Sequence, residues 1–522
     1  MSSDLGRTGQ ISRRAVLGGT AAAMSAPAIA QGGNARLLRF VPHTALTSLD
    51  QLWSNALISA HHSYMVYDQL FGIDAKLVAH PQMLAGYEVS ADGLHWKFAL
   101  RDGLAFHDGE PVLARDCVAS IIRWSKRDLF GMYVASLAME VKATGDRSFE
   151  LRINKPFAHL AYAMGSSACH IMPERIAVPD VSRGIREAIG SGPYRFLADE
   201  WDSGAHVAYA RNEKYVPRNE KPDVLAGGKV THFDRVEWKI LPEPNTAANA
   251  LIKGEVDWLE RPHTDHVGRL RTARGITVQK LDPFGWMGMV IFNLRRPPFD
   301  NPTVRRAVLL AMDQKEYLQA VIGDYPDLVN PGVGWFTGGT PLATLKGVEH
   351  LAKGPDIDAA RRLVKESGYD GARVVHLAAG DIPINTAMGQ MTAELYRRIG
   401  LNVVYTSVDW GMLVARIQNP DPGNEWASYN AGWTGITTAN PGGHRPMMGN
   451  VPNPQLEALR TAWLSAPDLA TQQRAAEALQ VAAAQAPGAV PFGQYFLPHA
   501  HKSDLTGFTP AAVVPFWGVR RA

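Results

Sequence analysis

The strongest constraint on the fold lies between residues 356 and 407, where helical and extended patterns alternate and each helix ends at a glycine. Residues 356–367 carry helical spacing and stop at Gly368. Residues 373–378 are extended, residues 385–399 are helical and stop at Gly400, and residues 401–407 are extended again. Glycine just past a helix end adopts the left-handed conformation that other residues resist. Strand–helix–strand in succession predicts parallel pairing, because re-entering a sheet in the same direction needs a crossover. This part of the chain is therefore expected to form an α/β lobe. Asn301-Pro302 reads as an N-cap followed by proline at the first helical position, and Asp313-x-x-Glu316 as a capping-box-like restart. Residues 454–486 are expected to be mostly helical.

The first half has a different texture. Residues 86–89 and 94–100 read as a hairpin around Ala91-Asp92-Gly93, with Trp96, Phe98 and Leu100 on one face. A helix is expected over residues 113–126, its stripe Cys117, Ile121 and Trp124 spaced for burial. Strands are expected at 37–41, 148–153, 207–210 and 236–241, with an Ala-rich helix at 245–253 stopped by Gly254. A chain of 522 residues exceeds what one core supports, since single cores stop growing at roughly 250–300 residues. Two or more lobes follow. The long extended runs at 279–293 and 490–497 are where the chain is expected to pass between them.

The 53 Lys and Arg against 50 Asp and Glu leave a formal charge of +3, without the basic excess that nucleic-acid binding needs. Two cysteines rule out a disulfide scaffold and a four-Cys metal site; Cys117 reads as a small core residue, and whether it pairs with Cys169 stays open. Arg13 and Arg14 precede a mildly apolar stretch at 15–26, too short for a membrane span, and Ala28-Ile29-Ala30 is a small-x-small cleavage site before Gln31. Residues 1–30 are expected to be a twin-arginine export signal, which makes the mature chain an exported, periplasmic protein.

No H-E-x-x-H, G-x-S-x-G, phosphate-loop or G-x-G-x-x-G pattern is present, so no enzyme motif emerges. His61 and His62 are adjacent and share no face. His499 and His501 share a strand face but are too few for a tight metal site. Neither a metal nor a cofactor is expected. The informative stretch is 425–445, where Tyr429, Ala431 and Trp433 share one strand face that leads into a polar, flexible loop. Such aromatics suit a ligand wall, and they suit a core equally.

Four stretches resemble a known family. Residues 81–124 carry Arg101, Gly103, Phe106-His107-Asp108-Gly109 and Asp116. Gly190-Ser191-Gly192-Pro193-Tyr194 is a second match. Phe292-Asn293, Pro298-Phe299-Asp300, Val304-Arg305-Arg306-Ala307 and Asp313 form a third, and residues 358–371 a fourth. They resemble the extracellular solute-binding proteins of family 5, the dipeptide- and oligopeptide-binding components of ABC importers. The resemblance implies a two-lobed α/β periplasmic-binding-protein-like fold with two crossing strands and an inserted subdomain. It divides the chain into an N-terminal lobe at 31–285 (insert at about 80–185), a C-terminal α/β lobe at 286–489 and a return at 490–522. It also implies a monomer that hands a peptide or related small organic solute to an ABC permease, with no nucleic-acid partner.

On this reading Trp433 and Tyr429 are walls, Trp286 lies near the first crossing, and Asn293 is a hydrogen-bond partner. Arg445 pairs with an anionic group, and Tyr64 comes from the N-terminal lobe. Family members commonly place an aspartate after the Gly-Trp pair to hold a peptide's amino group. Here Gly432-Trp433 is followed by residues 434–441 without a carboxylate. Unless Glu425 or Asp409 substitutes, the ligand is expected not to be a simple peptide with a free α-amine, because an unpaired buried ammonium is costly. Two alternatives stand beside the receptor: a periplasmic hydrolase on the same fold, and a haem or metal-chelate receptor using His444 or the His499/His501 pair.

Overall fold

The computed structural model describes residues 36–522, apart from 55, 167, 180, 420 and 422–424; the expected export signal, with Arg13 and Arg14, lies outside the described residues. Two large sheets organise the rest. The first has seven strands in the order Tyr194–Phe196, His206–Arg211, Arg235–Lys239, Leu37–Val41, Trp258–Leu259, His499–Lys502, Ile276–Gln279. The second has six, in the order Val329–Asn330, Ala489–Tyr495, Trp286–Phe292, Ser428–Thr434, Val374–Ala379, Val403–Val408.

The alternating segment folds as its pattern requires. Val374–Ala379 pairs in parallel with Val403–Val408 across the helix Pro383–Arg398, and in parallel with Ser428–Thr434 on its other side. The left-handed Gly368 and Gly400 stand where the preceding helices stop. Asn301, Asp313 and Asp356 each cap a helix by accepting backbone N–H groups. The expected helix over 454–486 is two helices, Pro454–Leu464 and Leu469–Gln485, because Asp468 caps a fresh start.

Within the first half, the hairpin Leu84–Val89 and His95–Leu100 belongs to a separate four-stranded antiparallel sheet with Ser148–Arg152 and Glu140–Gly145. The helix Ala114–Ser125 contributes Cys117, Ile121 and Trp124 to the same core, all essentially inaccessible. Cys117 and Cys169 are both buried free thiols, and burial raises both above the ordinary thiol range.

The chain passes between the two large sheets twice. The run at 279–293 is not one strand: Ile276–Gln279 ends in the first sheet, and Trp286–Phe292 begins in the second. The return lies later than residue 490. Ala489–Tyr495 is paired on both edges within the second sheet and buried throughout, so only the segment between Tyr495 and His499 leads back. At the centre of that pairing, Gly288 faces Phe492 so closely that a Cβ would stand 2.0 Å from its ring.

The first lobe buries charge as well as apolar surface. Lys229 donates to Asp68 over 2.7 Å, and the Tyr215 hydroxyl donates to the other Asp68 oxygen over 3.0 Å. Arg123 pairs with Asp50 in a second buried contact. The fold also buries several neutral histidines. His62, His170 and His499 are pushed down to about 3, and His376 and His444 to about 4, in each case chiefly because burial penalises the imidazolium. A histidine with a lowered folded pKa leaves the unfolded chain holding more protons, so stability falls as pH drops below the unfolded value of about 6.5 toward 4. The melting temperature is expected to be clearly lower at pH 5 than at pH 7.5. Equal melting temperatures at the two values would contradict this burial.

Candidate functional site

A cavity of about 500 Å³ opens between the two halves. One wall comes from Gln51, Leu57, the turn from Arg127 to Phe130, and Tyr162. The other comes from Trp286, the strand end Gly432-Trp433-Thr434 and the segment from Ile436 to Arg445. Its size is within the roughly 300–1,000 Å³ range of small-molecule sites. Trp286 and Trp433 stand on adjacent antiparallel strands, offset by one pair: Trp286 lies opposite Thr434 and Met287 opposite Trp433. The Arg261 guanidinium sits 4.8 Å from the centre of the Trp286 ring and holds it from the side of the first sheet.

The residues after Trp433 are fixed, contrary to the flexible loop their composition predicts. They form the short helix Gly435–Thr438, tied by the Thr337 hydroxyl, which donates to the Gly435 carbonyl over 2.6 Å. Gly435 packs on the crossing segment, where a Cβ would lie 2.1 Å from the Phe284 carbonyl oxygen. His444 caps the turn Arg445–Met448 and donates through Nε2 to the Trp335 carbonyl over 2.8 Å, so Arg445 emerges from an anchored backbone.

Of the residues singled out from sequence, Trp286, Trp433 and Arg445 meet on this cavity; Tyr429, Asn293 and Tyr64 do not line it. Tyr429 shares a face with Trp433, but four residues along a strand is about 13 Å. Its ring packs edge-on against Trp426 instead, with centroids 5.8 Å apart. Asn293 holds the turn after Trp286–Phe292: its amide donates to the Trp426 carbonyl over 3.1 Å, and its Oδ1 accepts from the Arg295 backbone over 3.2 Å. Tyr64 is buried beside Leu225, Phe284 and Trp517, with its ring edge against His170.

The carboxylates considered as substitutes are elsewhere too. Glu425 is exposed, and Asp409 caps the helix Trp410–Gln418. Among the described residues the cavity's acidic lining group is Asp128, which sequence reasoning missed. Its local pattern reads only as an N-cap, and that is one of its roles: Oδ1 accepts from Phe130 and Gly131 over 2.9 and 3.1 Å. Burial raises its carboxyl to about 6, opposed by those N–H groups, Trp124 and the charge of Arg445.

Three contacts join the two halves directly. The Asn440 amide donates to the Tyr162 hydroxyl over 3.0 Å. His159 stacks on Trp463 at 4.1 Å and reaches its carbonyl through Nε2. Gly442 lies against Phe130, where a Cβ would meet the ring at 2.4 Å.

The histidines considered for a metal or haem are committed to internal hydrogen bonds. His499 accepts from the Trp258 indole, both His444 nitrogens are used, and His501 contacts Gln279 and the Lys502 carbonyl. A cluster of His43, His61 and Glu260 brings three ligand-type atoms within 4.8 Å of one another. His61 Nδ1 accepts from the Val514 N–H, however, so Nε2 carries the proton that it donates to Glu260. A cation there would need the opposite tautomer, with two N–H groups facing each other. This trio is a buried hydrogen-bonded carboxylate, and Glu260 is held well below the usual range by His43, His61 and Arg261 against its desolvation.

A two-lobed α/β scaffold closing an aromatic, charged cavity at its crossing strands defines the class of bilobal solute receptors. The chain belongs to the bacterial extracellular solute-binding proteins, family 5, whose model matches residues 78–454. A Sinorhizobium fredii protein named as a probable peptide ABC transporter periplasmic-binding protein is 33% identical over 516 residues, covering 96% of this chain and 97% of that one. A glutathione-binding protein of Escherichia coli O1:K1 is 24% identical over 487 residues, covering 88% and 90%. Among solved structures, AgaA of A. tumefaciens R10 in complex with agropinic acid superimposes with a TM-score of 0.77 at 18% identity over 93% of this chain and 99% of that one. The dipeptide binding protein of Pseudoalteromonas sp. SM9913 in complex with Met-Leu gives 0.74 at 19% over 93% and 100%. These relatives are binding proteins, which leaves the hydrolase and haem-receptor alternatives without support. No helix among the described residues is long and apolar enough to cross a membrane.

The Gly442–Phe130 contact has a direct test. Gly442→Val forces a side chain into the ring and is expected to wedge the lobes apart, giving a larger radius of gyration by small-angle scattering. Scattering identical to the parent chain would contradict a closed contact at this point.

Proposed function

We propose that this chain is the exported receptor of an ABC importer and works by binding without chemical turnover. It folds as a monomer, crosses the inner membrane by the twin-arginine route of Arg13 and Arg14, and acts in the periplasm. One lobe comprises residues 31–285, with the insert at about 80–185, and the segment after Tyr495. The other is built from the residues between. The solute lies between the lobes, its apolar part against Trp286 and Trp433 and an anionic group on Arg445, and the closed form presents both lobes to a membrane permease.

The observation that carries this reading is the cavity itself. It is lined from both halves and walled by two tryptophans, and Arg445 lines it with no ion-pair partner among the described residues. An arginine held by an anchored turn offers a bidentate site for a carboxylate. The overall charge is close to zero, so selection rests on these local groups. The ligands for which the relatives are named, peptides, glutathione and agropinic acid, are organic molecules of the size this cavity encloses. Closure is a hinge motion about the two passages, of a recognised kind.

Native mass spectrometry of the protein purified from its own host is expected to show a bound organic solute on the parent chain. Occupancy should be lost in Trp433→Ala and Arg445→Ala. Each truncation is expected to weaken affinity by about 2 kcal/mol, near thirty-fold, as for aromatic and arginine anchors generally. Occupancy insensitive to both substitutions would place the ligand elsewhere, and conversion of a supplied metabolite pool into new products would reveal an enzyme.

A further inference from the structure

A second cavity, of about 480 Å³, lies at one end of the first large sheet and, among the described residues, shares no lining with the cavity between the lobes. Leu37–Val41 pairs in parallel with Arg235–Lys239 on one side and Trp258–Leu259 on the other. The chain leaving these strands supplies the apolar lining: Val41 and Pro42, Leu241 and Pro242, Leu259 and Pro262. Open α/β sheets bind ligands outside the carboxyl ends of parallel strands, where this cavity stands. Two polar groups join that lining. The ionised Glu260 can only accept, so His43 Nδ1 donates to it over 2.7 Å, beside the His43 backbone N–H at 2.8 Å. Burial, and then the Arg261 charge, push the imidazole down to about 4 and keep it neutral. Its Nε2 is therefore an acceptor, and it has no hydrogen-bond partner among the described residues. Arg261 is the permanent cation of the lining, and no described lining residue is a carboxylate. Its Nε lies 3.4 Å from Glu260 and its guanidinium rests on Trp286, while its terminal nitrogens have no hydrogen-bond partner among the described residues.

We infer that this cavity is a second small-molecule site, for an organic anion with an apolar body and a hydroxyl or N–H donor, the anion on Arg261 and the donor on His43 Nε2. Its volume is within the roughly 300–1,000 Å³ of small-molecule sites. Glu260 holds His43 by both backbone and ring, and Arg261 stands against the same carboxylate, so both groups are in place before anything binds. The guanidinium suits a carboxylate, and the proline and aliphatic surface takes the apolar body out of water. A molecule without the donor leaves Nε2 desolvated and unpaired, which is how a polar site rejects an analogue. The site is independent of the solute held between the lobes.

The test uses the full mature chain and isothermal titration calorimetry with para-hydroxyphenylacetate and indoleacetate, beside phenylacetate and naphthylacetate, which lack the donor. The first pair is expected to bind, and the second pair roughly ten-fold more weakly. Thr44 is an exposed residue of the lining, so Thr44→Trp fills the cavity without touching the core, and binding is expected to be lost. His43→Phe is expected to erase the preference for the donor, and Arg261→Gln to weaken all four acids alike. Trp433→Ala and Arg445→Ala, in the other cavity, should leave these affinities unchanged. No binding of the donor-bearing acids at millimolar concentration, or binding untouched by Thr44→Trp, would overturn the site. Binding lost in Trp433→Ala or Arg445→Ala would place the acids between the lobes and overturn it as well. Equal affinity for acids with and without the donor would overturn the role of His43. That comparison and Thr44→Trp decide the matter even if His43→Phe does not fold.

Discussion

The pairing of Trp286–Phe292 with a strand on each side is the constraint on which the rest of the molecule depends. This strand lies between Ser428–Thr434 and Ala489–Tyr495, and its first residue lines the cavity. Just before it, Gly285 takes a left-handed turn with its α-carbon against the Tyr495 carbonyl, where a Cβ would sit 2.5 Å away. Gln494 donates to the Phe284 carbonyl over 2.7 Å, and Asp282 accepts from the Phe284 N–H over 2.9 Å. The outgoing and returning chains are thus hydrogen-bonded side by side. The two passages thus form one narrow seam, and the aromatic wall is rooted at it.

The two halves hold their cavity walls in different ways. In the second half, the segment after Trp433 and the turn carrying Arg445 are fixed by side-chain hydrogen bonds of Thr337, Thr438 and His444. In the first half, the wall rests on a helix cap at Asp128 and on a core that contains buried ion pairs. A buried pair adds little net stability over apolar packing, but breaking one leaves an unpaired charge and is costly. Lys229–Asp68 and Arg123–Asp50 are two such pairs in the first half.

Local patterns in the sequence were reliable where a single segment decided the outcome. The glycine-stopped helices, the caps at Asn301 and Asp313, the Cys117–Ile121–Trp124 stripe and the parallel strands around residues 383–398 were all legible. The site was legible in part. Trp286, Trp433 and Arg445 converge, whereas Tyr429 shares Trp433's face and still lies too far along the strand. Asn293 and Tyr64 look like binding residues by type, but their polar and aromatic groups are spent on the turn and core around them.

Asp128 shows the limit most clearly. Read along the chain it is a helix cap and nothing more. Read in space it is an acidic lining group of the cavity, more than 300 residues from Arg445, which lines the same cavity. Capping, helix termination and face periodicity depend on neighbours within a turn or two, so the sequence by itself determined the elements, the α/β pairing of the second lobe and the family. Which charges share a cavity depends on how two lobes dock across a hinge, and only the tertiary structure decided that.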